Sequence, residues 1–472
     1  MSYSTNVVSN YQTAEYGKFI QFSSGDTRYP AVSVTRIQYP DSTLFQPGCA
    51  LPPVSSVDIY PKYAVLVHDT STSVSNALPF GDNGAIDAFG RLRVSNPVTL
   101  MDSKQLYGSS SLFDQVLSGS GDGVFISGDS AIYMRTFFAN DFVIRQTLQR
   151  FNYQPGKSIQ AFMTGTFGTQ ENIIKRVGMF SGSTTIPYNP IDGIYLENNS
   201  GNISLNILKT QGTSNTESIP QSAWNVDPMN GNGPSKIVLD LSKTTIFTLD
   251  YEWLGVGRVR AGFVIDGKTY YVHHFNHANS FSVAYMTSPN QPVRYEIRQT
   301  EIGSGEMQHI CSTVISEGGE QNVGNPFSIY ANSISNIGST YFCPILILRK
   351  NMNYKNIVSQ ITELNVVNTN NQYGHFILIA DPNISGGTVT FSNSAKGLEY
   401  AIGTNALSAS GGTILYGGYV NKDSATGIIQ VSEKCPTLGE KIDGTPQTIA
   451  LAIKTFSGNG SFGGLVNVLE RG

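Results

Sequence analysis

The sequence predicts an all-β protein built of antiparallel β-sandwich domains, and three observations carry that prediction. Apolar and polar residues alternate in short runs rich in Val, Ile, Thr, Tyr and Phe, as half-buried strands do. Gly, Asn, Pro or Ser interrupt these runs roughly every 8 to 15 residues, the rhythm of sandwiches and barrels. No long segment keeps a helical period, while 48 glycines and 24 each of Tyr and Phe suit tight turns between aromatic strands. At 472 residues the chain exceeds one ordinary sandwich and predicts two or three domains.

Residues 1–80 are rich in Ser, Thr and Pro, with short alternating pieces such as "AVSVTRIQY" and "YAVLVHD" around a Pro-rich stretch. They read as an N-terminal arm or a small β element. Residues 81–322 carry the densest patterning. Strands are expected at "AIYMRTFF", "FVIRQTLQRF", "SIQAFMTGTF", "RVGMFS", "GIYLENN", "ISLNIL", "KIVLDL", "TIFTLDYEWL", "RVRAGFVID", "KTYYVHHF", "VRYEIRQ" and "QHICSTVIS". The break at "EGGEQNVGNPF" suits a domain junction, and residues 325–472 repeat the style in a second sandwich. Its expected strands are "PILILR", "NIVSQITELNVVN", "HFILIAD", "GTVTFS", "GTILYGGYV", "GIIQVS" and "TIALAIKTF". No short internal repeat appears, which disfavours a solenoid or propeller.

Composition excludes several function classes. Charged residues make up 14%, against about 25% in typical domains, and the net charge is −4 with no cluster of Lys or Arg. A nucleic-acid binder would carry a basic stripe, so no nucleic-acid partner is expected. The four cysteines, Cys49, Cys311, Cys343 and Cys435, are far apart and read as reduced, mostly buried thiols. The N-terminus lacks a basic start followed by an apolar core, and no apolar run reaches a membrane span. Neither a signal peptide nor membrane insertion is expected.

The chemically richest stretch is Leu249–Asn279, "LDYEWLGVGRVRAGFVIDGKTYYVHHFNHAN". A phosphate loop needs a helix after its glycines, and here a strand follows "GVG". Gly255 and Gly257 instead read as turn residues at positive φ, and Asp266-Gly267 as a two-residue hairpin turn. Arg258 and Arg260 share a face opposite Val259 and are candidate anion or interface residues, or a salt-bridged outer face. His273, His274 and His277 form H-H-x-x-H. In a strand, adjacent histidines face opposite ways, and His273 and His277 would stand ~13 Å apart. Structural histidines are expected, with no metal and no cofactor.

No G-x-S-x-G occurs, and no carboxylate pair shows a distinctive spacing. "DPMNGNGPS", Asp227–Ser235, supplies oxygen ligands that could suit calcium but departs from the Asp-x-Asp-x-Asp-Gly loop and reads as a turn. Pro155-Gly156 in "QRFNYQPGKS" predicts a type II turn.

Five ordered stretches together resemble a family of virion structural proteins of tailed phages, especially marine ones, and of some large DNA viruses. They are "DAFGRLRVSNPVTLMDSKQLY" (Asp87–Tyr107), "RQTLQRFNYQPGKSIQAFMTG" (Arg145–Gly165), "AWNVDPMNGNGPSKIVLDLSKTTIF" (Ala223–Phe247), "YEWLGVGRVRAGFVIDGKTYYVHHFNHAN" (Tyr251–Asn279), and "PVRYEIRQT" running to "QHICSTVISEGG" (Pro292–Gly319). The likeness covers about residues 85–320, half of the chain. It implies a place in a virus particle, in a capsid-, vertex- or tail-associated role, and brings no catalytic residues. The stretch from "LSKTTIF" to "YYVHHF" also looks like the inner strands of a lectin-like or jelly-roll-like sandwich, and the central domain is expected to be one.

The functional expectation is a non-enzymatic virion structural subunit, assembled in a host cytoplasm and located in the virion. Its partners would be itself, as a homotrimer or other cyclic oligomer, and other virion proteins. Phe89, Arg91 and Arg93 join Arg258 and Arg260 as candidate interface or anchor residues. Phe89 would anchor in the core while the arginines pair across a junction, or all would close their own domain's sheet. The alternative is a host-surface glycan-binding fibre or knob, with Trp224, Trp253, Tyr270 and Tyr271 as the stacking platform. A polysaccharide depolymerase is the third reading.

Overall fold

The structure, a computed structural model, describes residues 86–472 apart from 94–95, 319–322, 394–395 and 433–436, together with the strands Phe19–Phe22 and Ser33–Arg36. The chain divides into two compact units, Met1–Gly81 and Asp82–Gly472. In the first, the two described strands pair antiparallel. The rest of the expected arm, with Cys49 and His68, lies outside the described residues.

Among its described residues the second unit is all-β apart from two single turns of 3₁₀ helix, and it holds two antiparallel sandwiches. One sheet of the first sandwich has seven strands, in the order Asn215–Pro220, Asn202–Lys209, Pro190–Asn199, Ile173–Gly182, Val293–Gln299, Phe142–Thr147 and Phe113–Ser118. The other has eight. Seven run in the order Lys268–Phe275, Val259–Ile265, Thr244–Tyr251, Ile159–Thr166, Gly305–Ser316, Ala131–Thr136 and Asp122–Ile126. The eighth, Val98–Lys104, pairs with the C-terminal half of Gly305–Ser316, whose N-terminal half pairs with Ala131–Thr136.

Alternation decides the layers. Phe247, Leu249 and Tyr251 point inward with Val259, Ala261 and Phe263, and meet Val177, Ile194, Val293 and Tyr295 from the facing sheet in one core. Each fully buried apolar side chain of this kind contributes roughly 1.5–3 kcal/mol. Residues between them face outward. The Asp266-Gly267 hairpin forms as expected, with φ of 50° and 73°. The Pro155-Gly156 turn closes through Lys157 N–H to the Gln154 carbonyl at 3.0 Å, with Gly156 at φ 85°. Gly255 has a positive φ of 81°, but Gly257 does not. Gly257 is needed for a different reason, since a Cβ there would stand 2.7 Å from the Glu252 carbonyl oxygen. "KIVLDL" is not a strand, because its amides turn to other partners: Ile237 N–H binds Ser235 Oγ and Leu239 N–H binds the Met229 carbonyl.

The second sandwich stacks a four-stranded sheet on a six-stranded one. The first runs Asn325–Ile337, Gly460–Arg471, Val358–Asn368 and Ile429–Gln430. The second runs Ser392–Asn393, Leu398–Ile402, Cys343–Lys350, Thr448–Thr455, Gly374–Ala380 and Thr413–Val420. Its core is mainly aliphatic, with Ile345, Leu348, Leu378, Leu451 and Ile453 against Ile361, Leu364, Val466 and Val468, and with Phe376 and Phe462 among them. The short hairpin of Asn383–Ser385 with Ser408–Ser410 accompanies a smaller apolar cluster on the outer face of the six-stranded sheet, around Ile377, Ile379, Ala450 and Ala452. "GTVTFS" contributes only the two-residue strand Ser392–Asn393.

A buried junction joins the sandwiches. Ile442 packs on Phe142, Ile144 and Tyr188 of the first sandwich. Beside it Glu440 accepts from Arg150 at 2.8 Å and lies 3.0 Å from Lys350 Nζ, with all three groups buried. Burial opposes the Glu440 charge, but the two cations override it and hold its pKa at about 2. Burial outweighs Glu440 at Lys350 and brings that pKa down to about 8.

Candidate functional site

The first feature to test is the arginine-rich opening motif. Residues 86–92 form a tight turn, with Ile86 bridged to Leu92 and Gly90 at φ 77°. The turn packs on the outer face of the eight-stranded sheet and buries Ile86 and Ala88, each 2% exposed. Beneath it stands Asp250, placed opposite Arg260 by the register of its hairpin. Arg260 and Arg93 both reach Asp250 Oδ2, the latter at 2.6 Å. Arg93 also donates to Glu317 and, at 3.0 Å, to the Ile86 carbonyl. Arg258 Nε donates to the Ala88 carbonyl at 3.0 Å. The Arg260 guanidinium lies 4.1 Å over the Tyr271 ring, whose hydroxyl donates to Asp250 at 3.2 Å. Burial pushes the Tyr271 hydroxyl pKa far up, and the Asp250 charge adds to the rise.

Thus Arg93, Arg258, Arg260 and Tyr271 come together, and the cluster fastens the turn to its own sandwich. Phe89 is not a core anchor. It is half-buried, with the Arg91 guanidinium 4.4 Å over its ring, while the exposed Arg91 pairs with the buried Asp87 at 2.7 Å.

The four aromatics of the expected sugar platform do not form one. Trp224 and Tyr271 are buried, at 4% exposed each, and Trp224 packs on Phe263. Trp253 is half-buried with its indole N–H on the Met286 carbonyl at 3.2 Å. Tyr270 is half-buried beneath Lys268.

The histidines sit in separate settings. His273 Nδ1 accepts from the Asn225 amide at 3.1 Å, and burial, with His274 beside it, lowers its pKa to about 4. The strand ends at Phe275, and His277 turns to stack on Tyr285 at 4.2 Å between Gly257 O and Glu217. Among the described residues no group of three His, Cys, Asp or Glu side chains could hold a metal ion. Asp227 is taken by its own loop, accepting from the amides of Met229 and Ser235 at 2.8 Å each. Cys311 and Cys343 are free thiols, the second buried, and Cys435 lies outside the described residues.

One constellation that sequence spacing did not suggest is a Ser-His contact. Ser312 Oγ stands 3.2 Å from His309 Nε2. Arg145 Nε donates to His309 Nδ1 at 3.2 Å, and burial lowers the pKa of this ring well below 6.5. The neutral ring therefore carries its proton on Nε2 and donates to Ser312, the opposite of what a general base does. Both side chains lie in the core, at 0% and 2% exposed. Carboxylates on the sheet faces are likewise committed: Asp250 as above, and Glu296 with Arg176, Arg294 and Arg298, which hold it ionised against burial.

What the sequence reading missed lies in the second sandwich. Tyr373, His375, Tyr419, Phe456 and Phe342 share the outer face of the six-stranded sheet, and consecutive rings stand 5.0–5.6 Å apart from Phe342 through His375 and Tyr419 to Phe456. The alternation in "YGHFILIA" puts Tyr373 and His375 opposite Phe376, the one available signal, but the grouping depends on sheet order.

No family model and no curated protein matches the chain. Among solved structures, the Emp47p carbohydrate recognition domain is similar at 9% identity and TM-score 0.30, covering 46% of this chain and 96% of its own. A β-glucanase of Bacillus licheniformis is similar at 7% identity and TM-score 0.29, over 47% and 98%. The CBM2 module of the evolved Dit of Lactobacillus casei BL23 phage J-1 is similar at 8% identity and TM-score 0.30, over 48% and 98%. None of these bears on what this chain does.

Proposed function

We propose that this chain is a non-enzymatic structural subunit of a virus particle, capsid-, vertex- or tail-associated, which acts through assembly contacts. The observation that carries the reading is where the motif charges go. Arg93, Arg260, Arg294 and Glu296 are paired inside the body, the first two with Asp250 and Glu296 also with Arg176, which lie outside the motif stretches. A catalytic site would leave such groups facing a cleft. The motifs that resemble virion proteins thus build a framework, and the charge-poor surface suits wet, hydrogen-bonded contacts between subunits. Copies associate with cyclic symmetry, as a trimer or another small cyclic oligomer. The test is quantitative mass spectrometry of purified particles against the major shell protein. A fixed copy number is expected, from a few to a few dozen at a vertex or tail and hundreds across a shell. Absence from the particle sinks the reading.

A second reading, recognition of a host-surface glycan by the same subunit, is favoured by the exposed rings of the second sandwich. Tyr419 is 69% and Phe456 60% exposed, although apolar rings on a finished body ordinarily find cover.

A further inference from the structure

We infer that the uncovered end of the six-stranded sheet is a carbohydrate site, with Tyr373, His375, Tyr419 and Phe456 as the floor on which sugar rings stack. This rests on the second reading above and supplies its location. Three strands build the floor by register. His375 pairs with Tyr419 on one side and with Lys454 on the other, so the three side chains form one row on one face. Just past the strand ends Phe456 N–H donates to the Tyr373 carbonyl at 3.3 Å, which carries the pairing on, and the Phe456 ring comes 5.6 Å from that of Tyr419. Inward-facing neighbours such as Phe376, Val420 and Ile453 belong to the core, so the backbone beneath the rings is held rigidly. The smaller apolar cluster with its short hairpin occupies the same face around Ile377, Ile379, Ala450 and Ala452, and the rings lie beyond it.

The size and chemistry of the patch select its occupant. Large aromatic side chains present about 150–250 Å² each. With Tyr419, Phe456 and Tyr373 at 69%, 60% and 49% exposed, the rings offer roughly 350 Å². A stable protein partner needs about 800 Å² per side, so a second copy or another subunit would be poorly held by these rings alone. Width points the same way. Three adjacent strands span about 10 Å between the outer two, the width of a single file of sugar rings.

Polar groups stand at the margin, where hydroxyls would meet them. Lys454 Nζ lies 4.7 Å over Phe342 and Lys422 Nζ 5.1 Å over Tyr373. Rings for the apolar faces of a sugar and ammonium groups for its hydroxyls are two things a saccharide requires. Tyr107 and Tyr330 are also exposed, and among the described residues neither stands in such a ring-to-ring row.

The test uses the full chain and isothermal titration against cellohexaose, a mannan, a galactan, alginate and a lipopolysaccharide O-chain. At least one is expected to bind in the micromolar to millimolar range. Tyr419→Ala and Phe456→Ala should each weaken binding about tenfold or more, Tyr419→Phe should retain it, and Tyr330→Ala should leave it unchanged. Unaltered melting curves would show that the variants are folded. If a saccharide binds and both alanine variants bind it as well as the parent, this location is wrong and the glycan reading stands elsewhere on the molecule. If no saccharide binds at millimolar concentration, the site and the glycan reading both fall, and the assembly reading is untouched.

Discussion

The outer faces of the two sandwiches are finished in opposite ways. On the first, charge is drawn inside: Asp250 lies between Arg93 and Arg260 under the 86–92 turn, and Glu296 is held by Arg176, Arg294 and Arg298. On the second, a row of rings is left in solvent above a mainly aliphatic core. Buried charges tolerate no missing partner, whereas exposed rings can be exchanged with little effect on the fold. One face is therefore a fastening and the other is available to a ligand.

The strongest way to break this contrast is Asp250→Asn. It removes the carboxylate charge that Arg93 and Arg260 share beneath the turn and should cost about 3–5 kcal/mol, read by denaturant unfolding. A loss under 1 kcal/mol would show that the cluster is not a fastening. Acid gives a smaller effect, read at the buried histidines of the first sandwich. His273 and His309 have folded-state pKa values depressed by burial, His273 to about 4. The folded state binds fewer protons there, so the stability is full above pH 6.5 and is lost as pH falls toward 4. Discounted for the solvent that reaches its ring, His273 contributes about 1–2 kcal/mol over that range, or roughly 2–4 °C of melting temperature per kcal/mol. Calorimetry from pH 7 to 4 should show the midpoint falling, and His273→Gln should flatten that dependence. The smallest effect sharpens the other side: Tyr419→Ala should change stability by about 0.5 kcal/mol or less. A larger loss would mean that the ring holds the sheet together.

Much of the framework was legible in the sequence because period-2 alternation is strong where one face is a core. "TIFTLDYEWL", "RVRAGFVID" and "TIALAIKTF" all lie on strands, and Asp266-Gly267 marks its own turn. Where the pattern weakens, strands were lost. Asn325–Ile337 lies at a sheet edge with polar residues along much of its length, and Gly460–Arg471 is a central strand whose Gly463 and Gly464 hide its apolar period. The Asp250–Arg260 pair follows from hairpin register, but Arg93 joins from 157 residues away, a closure no local spacing encodes. Trp224 and Tyr271 read as a platform in the sequence because a stretch rich in both does not separate an inward ring from an outward one. The ring row draws on residues from 342 to 456, which only sheet order makes neighbours.

The 86–92 turn also has a mechanical meaning. Tension travelling along the chain toward Val98–Lys104 would meet Asp87, Arg93 and the carbonyls of Ile86 and Ala88 before it reached that strand. Two arginines and a buried carboxylate act there as a cleat. They divert pull away from the ladder that joins Val98–Lys104 to Gly305–Ser316, which would otherwise open one hydrogen bond at a time from its end.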